Sequence, residues 1–188
     1  MNNQQEKRCI QATLLGDMSA FAKLVEAYKD YVFTLTMRIV SNREIAEELA
    51  QDTFLKAYNS LNTFKAESKF TTWLYRIAYN TSLDYIKKSK IQFEEIEEAS
   101  LLSSGENNTL DHLIDKERRE MLERIISELP NVDSVILSLY YFDEKSVKEI
   151  GEIVNLKSNT IKQRLHRARK ILATKLTTQN ITLETNGR

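Results

Sequence analysis

The chain has 188 residues with 27 basic and 27 acidic side chains, one cysteine, one proline and four glycines, a length and mixture that suit two small folded domains. Its single cysteine, Cys9, excludes an intrachain disulfide and a cysteine-built zinc site, and fits a reducing, cytoplasmic setting. No apolar run approaches a membrane span, and the opening residues lack the hydrophobic core of a signal peptide, so direct membrane insertion is not expected.

Residues 1–90 carry 13 basic against 10 acidic side chains. Apolar residues there recur at helical spacing: Phe21, Leu24, Val25 and Tyr28, then Val32, Leu35, Thr36 and Ile39, then Ile45, Leu49 and Thr53, then Phe70, Trp73, Leu74, Ile77 and Ala78. A strand alternates with period two, and no such stretch of useful length occurs. The spacing predicts an all-α fold, with a helical bundle over residues 8–90 broken near Ser41 and Asn42 and again from Asn62 to Ser68.

Between Phe64 and Lys90 lie six of the sixteen aromatic residues, interleaved with lysine and arginine. Unpaired bases stack on aromatic rings for roughly 1–3 kcal/mol each, and cations follow the phosphates. The same rings can instead build the core, and the shared face of Phe70, Trp73, Leu74 and Ile77 predicts burial for those four. Tyr75, Tyr79 and Asn80 fall elsewhere on the helix; Tyr75 and Asn80, with Phe64 from the preceding loop, are candidates for a pocket around one flipped base.

Residues 91–115 carry seven acidic and no basic side chains and are rich in Glu, Ser and Asn, the composition of a flexible acidic linker. The run of Glu94, Glu95, Glu97 and Glu98 has no accompanying histidine, so solvation rather than metal binding is expected. Residues 116–176 form a second, four-helix domain: a helix to Leu129 ended by Pro130, another from about Asp133 to Tyr141, and two more. The last dozen residues read as frayed.

The final two helices have the pattern of a helix-turn-helix. Ser146 and Glu149 make a capping box for a helix from about Val147, and Ile150, Ile153 and Val154 supply its apolar stripe. Asn155 stands where the turn requires a left-handed backbone, and Ser158 can cap the second helix. There Ile161, Leu165, Ala168 and Leu172 share one inward face, and seven basic residues with no acidic one fall between Lys157 and Lys175. Asn159, Gln163, His166, Arg167 and Lys170 point outward. Amide and guanidinium groups match base edges in the major groove, while Lys162, Arg164 and Arg169 on the flanks suit phosphates.

Three segments together resemble a known family: Ala46-Glu-Glu-Leu-Ala-Gln-Asp-Thr-Phe-Leu-Lys-Ala-Tyr58, Phe70-Thr-Thr-Trp-Leu-Tyr-Arg-Ile-Ala-Tyr-Asn80, and Glu149-Ile-Gly-Glu-Ile153 followed by Thr160-Ile-Lys-Gln-Arg-Leu-His-Arg-Ala-Arg169. They are similar to bacterial RNA polymerase sigma factors of the sigma-70 family, extracytoplasmic function (ECF) group. The resemblance implies a promoter-specificity subunit without cofactor, built from region 2 (residues 8–90) and region 4 (residues 116–176). By that likeness Glu48, Gln51, Asp52 and Leu55 face the clamp of the largest polymerase subunit. Phe64, Lys65, Ser68, Tyr75, Arg76 and Asn80 hold the melted −10 strand, and Asn159, Lys162, Gln163, His166, Arg167 and Lys170 contact the −35 duplex. Arg164 and Arg169 go to phosphates or packing, region 4 docks on the flap of the second-largest subunit, the linker threads the polymerase channels, and an anti-sigma factor is an expected partner. Gly151 and Asn155 depart from the family pattern, which favours Ala and Gly at those positions.

A different class of function is a stand-alone helix-turn-helix regulator whose first domain senses or dimerises. An enzyme is excluded on chemistry: His112 and His166 sit in the linker and on the basic helix, no glycine-rich phosphate loop occurs, and no nucleophile has a nearby base.

Overall fold

A computed structural model describes residues 1–94, Ile126, Leu129 and residues 131–185, and every described element is helical. Contacts divide the chain into two units, residues 1–103 and 104–188.

The first unit begins with α1 (Asn3–Leu14), earlier than the expected start at residue 8. Asn2 and Gln5 form its capping box, and its inward residues Ile10 and Thr13 are buried. α2 (Met18–Val40) is capped by Asp17, whose carboxylate accepts from the amides of Ser19 and Ala20. Tyr28 on α2 donates its hydroxyl hydrogen to the Glu6 carboxylate on α1, which ties the two helices together. α2 ends at Ser41 in a left-handed conformation, and Asn42 caps α3 (Arg43–Ser60) by accepting from Ile45 N at 3.0 Å. The break expected near Ser41 and Asn42 is therefore a C-cap followed at once by an N-cap.

Leu24, Val32, Leu35 and Ile39 of α2 meet Ala46, Leu49, Phe54 and Ala57 of α3 in the core. Alanines on α3 let the backbones approach, and the Thr36 hydroxyl on α2 donates to the Ala46 carbonyl across the seam at 2.9 Å. A short 3-10 turn (Leu61–Thr63) leads into a loop in which Ala66 has a φ of 56°. α4 (Phe70–Glu94) follows. It runs past the predicted boundary at residue 90, so residues 91–94 of the expected linker are helical; nothing in that stretch breaks a helix. The rest of the linker, and the helix expected before Pro130, lie outside the described residues apart from Ile126 and Leu129, both buried.

The second unit contains α5 (Asn131–Tyr141), α6 (Val147–Val154) and α7 (Ser158–Thr185). Its core is aliphatic: Val135, Ile136, Leu137 and Leu139 from α5, Ile150, Ile153 and Val154 from α6, and Ile161, Leu165 and Ala168 from α7. Leu172, expected inward, is half-buried. α7 continues through the segment expected to fray, because no Gly or Pro occurs between Ser158 and Thr185.

The α6–α7 turn is set by two residues acting together. The capping box of Ser146 and Glu149 starts α6, and Asn155 ends it in the left-handed region at φ 55°, ψ 49°. The Leu156 amide then donates to the Gly151 carbonyl at 3.0 Å. A Cβ on Gly151 would stand 2.7 Å from the Leu156 carbonyl oxygen, a backbone atom. Glycine inside α6 thus admits the close return of the chain, and asparagine supplies the turn that glycine more often supplies. α7 takes Ser158 as its first residue rather than as its cap, and the Lys157 carbonyl accepts from Ile161 N at 3.1 Å.

Candidate nucleic-acid interface

On α7 the buried stripe of Ile161, Leu165 and Ala168 fixes what the opposite face presents. Asn159, Lys162, Gln163, His166 and Lys170 are all exposed. An α-helix with such a face fits the width of the major groove.

The three arginines of α7 behave differently from those five residues. Arg164 Nη1 donates to Asp133 Oδ1 at 2.7 Å, and Arg167 Nη2 donates to Asp133 Oδ2, also at 2.7 Å. Arg169 Nε donates to the Tyr141 hydroxyl at 2.8 Å, and its guanidinium lies 5.2 Å from the Tyr140 ring centroid. All three arginines therefore tie α7 to α5. Arg164 and Arg169, assigned from sequence to phosphates or packing, both contact α5; Arg164 is half-buried and Arg169 exposed. Arg167 is held by Asp133 yet keeps 62% of its side chain exposed. Asp133 carries no local signal of this role in the sequence, because its partners lie 31 and 34 residues further along the chain.

In the first unit an aromatic cluster stands where the loop meets α4. Phe64 lies 5.6 Å from Phe70 and 5.4 Å from Trp73, ring centroid to centroid, and Phe70 contacts Tyr28. Phe70 is buried, whereas Phe64 and Trp73 are half-buried.

Tyr75 is 3% and Tyr79 5% exposed. The pocket expected from Phe64, Tyr75 and Asn80 does not form as such: Tyr75 faces the core, and the ring on the open side is Trp73. The reason is helical arithmetic. At 3.6 residues per turn, residues three, four and seven apart share a face, so Asn80 aligns with Trp73, Arg76 and Ile77, while Tyr75 falls on the far side. Arg76 and Asn80 are exposed, as is Lys65, and Ser68 is half-buried. Of the four residues expected to be buried on this helix, Phe70 and Leu74 are, while Trp73 and Ile77 are half-buried.

On α3, Glu48, Gln51 and Asp52 are exposed, and Leu55 is 62% exposed. Beside this face, Val25, Phe33, Arg43, Glu47, Gln51 and Phe54 line a groove of about 440 Å³ between α2 and α3.

Fold and exposed faces define a class: a helical DNA-binding protein with a helix-turn-helix in one unit and an aromatic and basic surface in the other. The family model of sigma-70 region 2 matches residues 24–91, and that of sigma-70 region 4 matches residues 119–172. The ECF RNA polymerase sigma factor SigW of Bacillus subtilis is 35% identical over 179 residues, covering 90% of this chain and 96% of the relative. The ECF RNA polymerase sigma-E factor of Escherichia coli K12 is 31% identical over 170 residues, 86% of this chain and 88% of the relative. Among solved structures, the sigma factor RpoE in complex with the anti-sigma factor NepR from Bartonella quintana shares the fold, with TM-score 0.66 and 22% identity over 84% of this chain and 96% of that one.

The chain belongs to the sigma-70 family, in the ECF group of RNA polymerase sigma factors. It is a DNA-binding factor of transcription initiation that directs RNA polymerase to promoters, and the stand-alone regulator is not favoured.

Proposed function

We propose a division of roles in which the first unit holds core polymerase and the melted −10 strand while the second reads the −35 duplex. The observation that carries it is the α7 face, where Asn159, Lys162, Gln163, His166 and Lys170 are exposed beside an arginine, with no acidic residue from Lys157 to Lys175. Lys162 and Lys170 meet phosphates as point charges; Asn159, Gln163, His166 and Arg167 carry donors and acceptors suited to base edges.

For the −10 strand, the half-buried rings of Phe64 and Trp73 offer a stacking platform, Asn80 an amide for a base edge, and Arg76, Lys65 and Ser68 contacts for the backbone. Tyr75, part of the sequence-derived set, supports this surface from within. Glu48, Gln51, Asp52 and Leu55 bind the polymerase clamp. Region 2 spans residues 8–90, residues 91–115 are the acidic linker, whose first four residues continue α4, and region 4 spans residues 116–176. The work is binding and strand separation, without an enzymatic step or cofactor, and it takes place in the cytoplasm; no described helix is long and apolar enough to cross a membrane. An anti-sigma factor is a fitting partner, as the similarly folded sigma factor RpoE was solved in complex with the anti-sigma factor NepR.

The test is to add the purified chain to bacterial core RNA polymerase on fragmented genomic DNA from its host and to sequence the transcripts. New start sites that share two spaced upstream elements are the expected result. A folded chain that yields no specific start sites would overturn the division of roles.

A further inference from the structure

Among the described residues Asp133 is the one buried carboxylate, 1% exposed at the first turn of α5. Each of its oxygens takes one guanidinium of α7, Arg164 on Oδ1 and Arg167 on Oδ2, both at 2.7 Å. A carboxylate withdrawn from water must be paired, and a well-paired one is still rarely more stable than an apolar side chain of the same size. Stability alone therefore gives little reason for an aspartate here. Geometry gives a better one.

Arg167 stands at the border between the α5 contact and the exposed face that carries Gln163, His166 and Lys170. Its side chain is 62% exposed although one amino group is bound to Asp133. A guanidinium has five donors in a rigid plane. With Nη2 bound to Asp133, the remaining donors of the plane stay open to solvent. Arg164, three residues earlier and 32% exposed, occupies the second carboxylate oxygen and so keeps the Asp133 carboxylate from rotating.

We propose that Asp133 is a positioning residue for duplex recognition: it grips one edge of the Arg167 guanidinium and turns the other edge toward a base. This rests on the reading of α7 as the −35 recognition helix. Arg167 then differs from Lys162 and Lys170, whose flexible ammonium groups follow phosphates without base preference. A residue that touches no DNA sets the discrimination at one base pair.

Charge makes the proposal separable from a merely structural role. Neutralising Asp133 leaves two arginines unpaired, which favours phosphates of any sequence, while the angle required for base recognition is lost. Discrimination falls and non-specific binding holds or rises. Loss of folding would lower both together.

The experiment uses the full chain assembled with bacterial core RNA polymerase and a library of promoter fragments randomised across the upstream element. Wild type, Asp133→Asn, Asp133→Glu, Arg167→Ala and the Asp133→Asn/Arg167→Ala pair are compared, with the Tm of each chain measured. Wild type is expected to enrich a defined upstream sequence. Arg167→Ala and Asp133→Asn are each expected to lose preference at the same base pair, on the order of tenfold, and Asp133→Asn to add nothing in the Arg167→Ala background. Binding of Asp133→Asn to random duplex is expected to match or exceed wild type.

The proposal is overturned if Asp133→Asn keeps the wild-type preference, or if its preference and its random binding fall together with Tm. Should Asp133→Asn fail to fold, Asp133→Glu carries the test, since it keeps the charge but moves the carboxylate: loss of the Arg167-dependent preference with an unchanged Tm supports the proposal, and retention overturns it. Failure of wild type to enrich any upstream sequence would instead overturn the recognition-helix reading, a result visible before any variant is compared.

Discussion

Gly151 and Asn155 show how two departures from a family pattern compensate at the level of single residues. Asn155 takes the left-handed turn, and Gly151 makes room for the returning carbonyl of Leu156. Gly151→Ala should destabilise the second unit by about 1–3 kcal/mol, as overpacking against fixed backbone does, lowering its Tm; an unchanged Tm would mean that the turn can move aside. Tyr28 is a second residue with a measurable consequence. Burial first, and then its hydrogen bond to Glu6, raise the Tyr28 phenol above its ordinary value, which is about 10. The fold favours the neutral phenol, so its contribution is fully present below pH about 10 and is lost as pH rises above that, where the unfolded chain ionises first. Unfolding free energy measured against pH should decline in that window, and Tyr28→Phe should remove that part of the decline.

Two helices show that the same face can be judged well or badly from spacing. On α4 the correction from Tyr75 to Trp73 follows from the face shared by Trp73, Arg76, Ile77 and Asn80. Trp73→Ala should leave polymerase binding intact and impair promoter opening in a permanganate footprint. Tyr75→Ala should act through stability, costing about 3–5 kcal/mol as buried aromatic truncations do, and normal stability in that variant would return Tyr75 to the surface. On α3 the exposed Glu48, Gln51 and Asp52 share their helix with a buried stripe of Ala46, Leu49, Ala50 and Thr53. Changing the three polar residues to alanine should weaken binding to core polymerase while the unfolding midpoint stays within the small range typical of surface substitutions; equal affinity would mark that face as solvated only.

Across the whole molecule, equal numbers of basic and acidic side chains conceal an uneven distribution: residues 91–115 hold seven acidic groups and no basic one. A neutral chain with one recognition helix gains little non-specific attraction to DNA, so strong promoter binding should require polymerase. Duplex binding by the holoenzyme should weaken steeply with salt, and Lys162→Ala should lower that salt slope by about one while weakening all sequences alike. A loss confined to one base pair would instead make Lys162 a base reader.

Sequence alone determined the helical class, the break at Ser41 and Asn42, and the helix-turn-helix from Ser146 onward, though not where α1 begins or α4 and α7 end. Caps, left-handed turns and apolar stripes all act between residues a few positions apart, so the chain displays them directly. The placement of Trp73 and Tyr75 was legible in the same way, by counting turns from Asn80. Only the tertiary structure decided which cations of α7 remain available. Arg164, Arg167 and Arg169 stand in one basic run, and it is Asp133, Tyr140 and Tyr141, brought to them by the packing of α5 on α7, that hold all three while leaving 62% of the Arg167 side chain exposed. Ion pairs and ring contacts between residues about thirty positions apart have no local signature, because their partners become neighbours only when the core closes.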